Sequence, residues 1–190
     1  MVVDNAAVAR INDRRSIMRI MSDPRYPIGK FTFTPFADDA ARQAAIADMR
    51  DLPKHLKAAL LPFKGDALDT PYRDGGWSIR QLVHHIADSH MNAFIRFRLG
   101  LTEDKPTIKP YDEKAWALLP DGTLPVEPSL AIIENLHHRL TVLLELTPAE
   151  AFAREILHPE NGPMTLDKLL QLYAWHGRHH VAHVAHTPGA

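Results

Sequence analysis

The chain has no cysteine among its 190 residues. That absence excludes disulfides, thiolate metal ligands and a cysteine nucleophile. Any bound metal must therefore rest on imidazole or carboxylate, and any thiol chemistry needs a thiol brought from outside. An excess of one charge is also missing: 22 Lys and Arg stand against 23 Asp and Glu, a formal net charge of −1. Without a basic block, nucleic acid is not expected as a partner, because binding phosphates needs clustered cations. No apolar run approaches the roughly 20 residues that span a bilayer, so no membrane partner is expected either. The opening "MVVDNAAVARINDRRSIMRIM" lacks the continuous apolar core of a secretory signal, and the cytoplasm is the expected location.

What is present is an ordinary globular composition, 45 % hydrophobic and 24 % charged, in a length that suits one compact domain. Residues 1–23 read as a flexible N-terminal extension and residues 24–190 as the domain. Apolar residues recur every three or four positions from about Asp38 to Leu61, predicting a first helix that Pro53 kinks or splits. Ser78 followed by Gln81 and an apolar run is the pattern of a capping box, and the second helix is expected to run to about Leu101. Residues 102–128 form a long connection with a short helix near Glu113–Leu119. Connections of this length in compact domains are commonly functional. Ser129 is placed as the cap of a third long helix ending near Thr147-Pro148. "HPENGP" reads as a loop, and Thr165 caps a fourth helix with Asp167 in its first turn. Four long helices without a convincing strand predict an all-α four-helix bundle with a long crossover.

Histidine is the residue in excess. Of twelve in the chain, five fall in "LYAWHGRHHVAHVAH" (172–186) and three in "LVHHIADSHMN" (82–92). His176 and His180 are i,i+4, one turn apart on one side of a helix, so both can reach one ion. A second such pair, His179 and His183, lies further round toward the expected solvent side. On the second helix, His84 and His85 flank the apolar stripe on opposite sides, and spacing alone separates them weakly. His90 falls on the apolar side, as a hydrogen-bonded core histidine would. His55, His137, His138 and His158 show no arrangement of their own, and His186 lies at the expected frayed end. Two imidazoles from the fourth helix and one from the second leave one coordination position open, the arrangement of catalytic rather than structural zinc. Three neutral ligands leave the ion its full charge to activate a water or thiol.

Taken together, "YPIGKF" (26–31), "TPYRDGGWSIRQLVHHIADSHMN" (70–92), "LTEDKPTIKPYDEKAWALLPD" (101–121) and "LYAWHGRHHVAHV" (172–184) resemble the DinB-like superfamily. Within it they resemble the YfiT group of proposed metal-dependent hydrolases, which includes bacillithiol S-transferases. The resemblance covers about residues 24–186. It implies a homodimeric four-helix bundle with one divalent ion per chain, zinc in the first place and nickel in the second. It also assigns the ligands: the family's first histidine precedes an aliphatic-Ala pair, here His85-Ile86-Ala87, and the other two map onto His176 and His180. One departure is the short C-terminal helix, which bears on dimerisation rather than on the ligands.

The implied function is a metal-dependent enzyme that turns water, or a low-molecular-weight thiol, against a small electrophile. Asn92 and Arg96, on the His85 side of the second helix, are placed as residues orienting the substrate. Asp112, Glu113 and Trp116 in the long connection are expected to line or cover the pocket. The rival reading is a non-catalytic metal-binding protein of a stress response.

Overall fold

The computed structural model describes residues 23–188; the N-terminal extension up to residue 22 lies outside the described residues. Four long helices form the body: α1 (Asp39–Ala59), α2 (Ile79–Thr102), α4 (Glu127–Glu145) and α5 (Leu166–His186). A four-residue helix, α3 (Glu113–Trp116), sits in the crossover between α2 and α4. The caps expected at Ser78 and Thr165 form, and Asp38 supplies one more. Asp38 accepts from the Ala41 amide at 2.8 Å, and Thr165 accepts from the Lys168 amide at 3.1 Å. The Ser78–Gln81 capping box closes in both directions at 3.0 and 3.2 Å. Each such cap stabilises its helix by about 1 kcal/mol.

Two expectations change at the helices. α1 is one helix through the buried Pro53 and is not split there, its packing against α4 and α5 offsetting the lost backbone bond. α4 begins at Glu127 rather than behind Ser129. Pro128 sits in its first turn, where a fixed φ and an absent N–H cost nothing, and Ser129 is left inside the helix with its hydroxyl free for a side-chain partner.

α1 and α2 each pack against α4 and α5, so helices consecutive in sequence, α1 with α2 and α4 with α5, lie across the diagonals of the bundle. Long connections make both diagonal crossings. The second one contains the strands that the sequence reading did not expect: β1 (Glu155–His158) and β2 (Gly162–Thr165) pair antiparallel, Glu155 opposite Thr165 and His158 opposite Gly162. Four residues per strand are too few for a readable alternation, and the turn depends on Gly162 at φ +70°, a conformation glycine adopts without penalty. β1 also takes the crossover alongside it: the Leu157 amide donates to the Pro106 carbonyl at 2.9 Å and the Ile108 amide to the Leu157 carbonyl at 3.0 Å.

The apolar interior is divided. One cluster gathers Ile46, Met49, Phe97, Leu140, Leu144 and Leu170. The other gathers Leu56, Ile79, Leu82, Ile86, Ile133 and Val184. Between them on three helices lie buried histidines: His85 and His90 on α2, His137 on α4, and His179, His180 and His183 on α5. α1 and α5 come close beside this layer, where a Cβ on Gly177 would stand 2.9 Å from the Leu52 side chain. Arg42 closes the same pair of helices at the other end with two bonds to Asp167, at 2.7 and 3.1 Å.

Candidate metal centre

The polar layer opens to the surface where α2 faces α5. His84 and His85, which the helix wheel separates only weakly, part company here. His84 is turned toward the crossover and α4, with Nδ1 2.7 Å from the Ser129 hydroxyl and Nε2 3.2 Å from the Leu124 carbonyl. His85 is buried against Trp77, ring centroids 4.7 Å apart, and faces α5. Its ring lies 5.2 Å from that of His176 and 4.9 Å from that of His180. One ring nitrogen from each of His85, His176 and His180 falls within 4.8 Å of the others.

The donor set fits a divalent ion. His85 Nε2 and His176 Nε2 are 3.2 Å apart, close to the roughly 3.3 Å edge of a tetrahedron built on zinc–nitrogen bonds of about 2.0–2.1 Å. Burial pushes the His85 ring down to about 4. It also holds His176 and His180 well below the ordinary histidine range, with the neighbouring imidazoles acting in the same direction. All three are therefore neutral near pH 7, with lone pairs available to a metal.

Two cavities adjoin this group, one at His176 and one at His85. A cleft of about 590 Å³ is bounded by Ser89, Arg96, Tyr111, Glu113, His158 and His176, among others. A smaller one of about 210 Å³ reaches His85, with Asp88, Glu113, Trp116 and Asp121 on its walls. Glu113, on α3, borders both. Asp112 caps α3 through the amides of Lys114 and Ala115, each at 3.0 Å, and borders the larger cleft. Trp116 packs on Tyr111, ring centroids 4.5 Å apart. The crossover thus supplies an outer wall for the site.

Of the two residues on the His85 side of α2, Arg96 borders the cleft and Asn92 does not line either cavity. The Asn92 amide donates to the Asp88 carbonyl one turn back, at 2.9 Å. Arg96 donates to the Tyr173 hydroxyl at 2.9 Å, while its Nε is buried without a partner among the described residues. A half-buried guanidinium on the wall of the cleft favours an anionic group there.

Several residues here escaped the sequence reading. His137 is buried in the polar layer, bonded to His90. His158 is carried into the cleft by the hairpin. His179 and His183, expected toward solvent, are buried: Trp175 stacks on His179 with centroids 4.4 Å apart, and Tyr72 covers His183 at 4.2 Å. The residues of "YPIGKF" account for part of this cover, since Tyr26 lies 6.3 Å from His179 and Phe31 5.8 Å from Trp175. A helix wheel drawn from α5 alone cannot register cover that a segment 150 positions away provides (roughly the separation of the two in sequence).

His179, His180 and His183 also bring nitrogens within 4.8 Å of one another. This second group shares His180, and a neutral imidazole has a single nitrogen lone pair. His180 can therefore serve one group at a time. Its Nδ1 lies 3.2 Å from His183 Nδ1, which leaves Nε2 for the group with His85 and His176.

A helical bundle with three converging neutral imidazoles beside an open cleft defines a class of metal-binding bundle proteins. Comparison with known proteins makes the assignment particular: the chain belongs to the DinB superfamily, which it matches over residues 39–184. It is 49 % identical over 164 residues to proteins named "Putative metal-dependent hydrolase" in Bacillus cereus (strain 03BB102) and Bacillus thuringiensis subsp. konkukian. The matches cover 86 % of this chain and 95 % of each relative. Among solved structures it is similar to YfiT from Bacillus subtilis, described as a probable metal-dependent hydrolase with an unusual four-helix bundle topology. The TM-score is 0.83 at 44 % identity, covering 86 % of this chain and 94 % of YfiT. A mycothiol-dependent maleylpyruvate isomerase shares the fold at 17 % identity, with a TM-score of 0.60 over 78 % of this chain and 61 % of the isomerase.

Proposed function

We propose that this chain is a metal-dependent enzyme in which His85, His176 and His180 hold one divalent ion, zinc before nickel, for attack on a small electrophile. The observation that carries the reading is the convergence of three neutral imidazoles beside an open cleft. A divalent ion bound there supplies a Lewis acid that makes a water or a low-molecular-weight thiol nucleophilic near neutral pH. The absence of cysteine means that in the thiol version the sulfur comes from a cosubstrate such as bacillithiol.

The chain's own residues do the rest. His85, His176 and His180 bind through neutral nitrogens, so the site keeps a net positive charge. Arg96, on the wall of the cleft, orients an anionic part of substrate or cosubstrate through its guanidinium. Glu113 stands between the two cavities as a carboxylate able to take a proton. Trp116 and Tyr111, packed on each other, form part of the walls of the two cavities. The likeness to the mycothiol-dependent isomerase concerns the fold alone; the thiol version rests on the sequence resemblance and on the cleft.

Incubating the zinc- or nickel-loaded protein with a panel of thiols and a generic electrophile tests this, in parallel with ester and amide hydrolysis. Thioether formation that depends on metal and thiol establishes S-transfer. Hydrolysis without any thiol dependence establishes the hydrolase version. Stoichiometric metal with neither activity favours the non-catalytic metal-binding protein.

A further inference from the structure

Pro53 lies in the interior of α1 and has no N–H to give to the carbonyl of Met49, four residues earlier. That carbonyl has a different partner. His137, from α4, brings its Nδ1 to 2.6 Å from the Met49 oxygen. Beyond it the contacts continue without a break. His137 Nε2 is 2.9 Å from His90 Nδ1, and His90 Nε2 is 3.2 Å from His176 Nδ1. His176 Nε2 is the nitrogen that faces His85.

A carbonyl oxygen can only accept, and a neutral imidazole has one donor and one acceptor nitrogen. The Met49 end therefore sets the direction of the whole series. His137 carries its proton on Nδ1 and donates it to the carbonyl. Its Nε2 must accept, so His90 carries its proton on Nδ1. The Nε2 of His90 must then accept, so His176 carries its proton on Nδ1 as well. The one nitrogen of His176 left with a lone pair is Nε2. The reverse order would set a lone pair against the Met49 oxygen at 2.6 Å, in a layer where His90 and His137 are 0 % and 1 % exposed.

We propose that His90 and His137 are positioning residues: they fix the proton of His176 on Nδ1 and hold its Nε2 lone pair toward His85, through a chain anchored on the carbonyl that Pro53 leaves free. The proposal rests on the reading of His85, His176 and His180 as a metal centre. It adds two residues that touch neither metal nor substrate. It also gives a role to a proline that otherwise only weakens its helix. Partners of this kind behind a ligating histidine set its tautomer and orientation.

The test is long-range ¹H–¹⁵N NMR of the histidine rings in the metal-free, full-length protein near neutral pH, which reads the protonated nitrogen of each ring. The expected result is Nδ1–H for His137, His90 and His176 alike. His176 protonated on Nε2 would overturn the proposal. Zinc affinity, measured by chelator competition, supplies the second readout. His90→Leu removes the acceptor for His176 and is expected to weaken binding at least about 10-fold. His90→Gln can accept from His176 through its amide oxygen and donate to His137 through its nitrogen, so it is expected to recover most of that loss. Equal losses in the two variants, with both folded by circular dichroism, would show that bulk and not direction matters. Wild type that fails to bind zinc or nickel, with Nδ1–H on all three rings, would remove the metal centre and leave the proton order standing. Wild type that binds metal with His176 protonated on Nε2 in the metal-free form would do the opposite.

Discussion

His176 and His180 on one side of α5, and His179 and His183 a little further round, are the same residue at the same spacing in different settings. The first pair meets a ring from a second helix. His85 brings its Nε2 to 3.2 Å from that of His176, and His176 is bonded behind by His90. The second pair meets aromatic walls, Trp175 on His179 and Tyr72 on His183. There His179 Nδ1 and His183 Nε2 are buried without partners among the described residues. Density of histidine is thus not what makes a metal centre. Convergence from more than one element does, together with hydrogen bonds that place each proton on the nitrogen facing away. The second pair is better read as support for the first: His183 Nδ1 lies 3.2 Å from His180 Nδ1, and if it accepts there it leaves His180 Nε2 with the lone pair.

The largest expected effect separates the two pairs outright. Elemental analysis of His85→Ala, His176→Ala and His180→Ala should show loss of essentially all of the roughly one ion per chain bound by wild type, as three protein ligands are the minimum for such a site. Retention in His85→Ala with loss in His84→Ala would place the third ligand on the other side of α2.

A stability effect of the inner layer comes next. Burial lowers His137 from the ordinary 6.5 to about 4, so the ring is neutral when folded and takes up a proton more readily when unfolded. The unfolded chain then binds more protons wherever the pH lies between these values, and stability falls as the pH drops through that window. Above about 7 the effect vanishes. Toward pH 4 it approaches roughly 3 kcal/mol for this ring. Chemical denaturation of metal-free wild type and His137→Leu at several pH values checks it: the variant should show a shallower decline below pH 6.5.

A smaller effect tests the supporting role of the second pair. His183→Leu should retain the metal but with affinity lowered by about 10-fold, the low end for loss of a partner behind a ligand. His179→Ala should be smallest of all, with metal content unchanged by elemental analysis. If it instead lost the ion as completely as His85→Ala, the centre would belong to the second group and the contrast drawn above would be reversed.

Much of this molecule was decided locally. Ser78 with Gln81 and Thr165 before an apolar run start their helices through bonds spanning three residues, and apolar residues at three- and four-residue intervals give the bundle. The lack of cysteine limits metal ligands to imidazole and carboxylate, and the i,i+4 pair His176 and His180 is a property of one helix. Periodicity shows which face of a helix is apolar; it does not show which polar edge a second helix will meet. So the wheel separated His84 and His85 only weakly, and it was the family resemblance that put the ligand on His85. In the fold, the packing of α2 against α5, and the Ser129 hydroxyl released because α4 begins three residues earlier than a Ser129 cap would place it, turn His84 outward and His85 in. The hairpin, the cover over His179 and His183, and the line from Met49 through His137 and His90 to His176 likewise join residues far apart in sequence. Such contacts cost chain entropy to assemble and are held only by the whole bundle. Pro53 shows the difference most plainly: along the chain it is a helix breaker, and in the folded protein it frees the carbonyl on which that line ends.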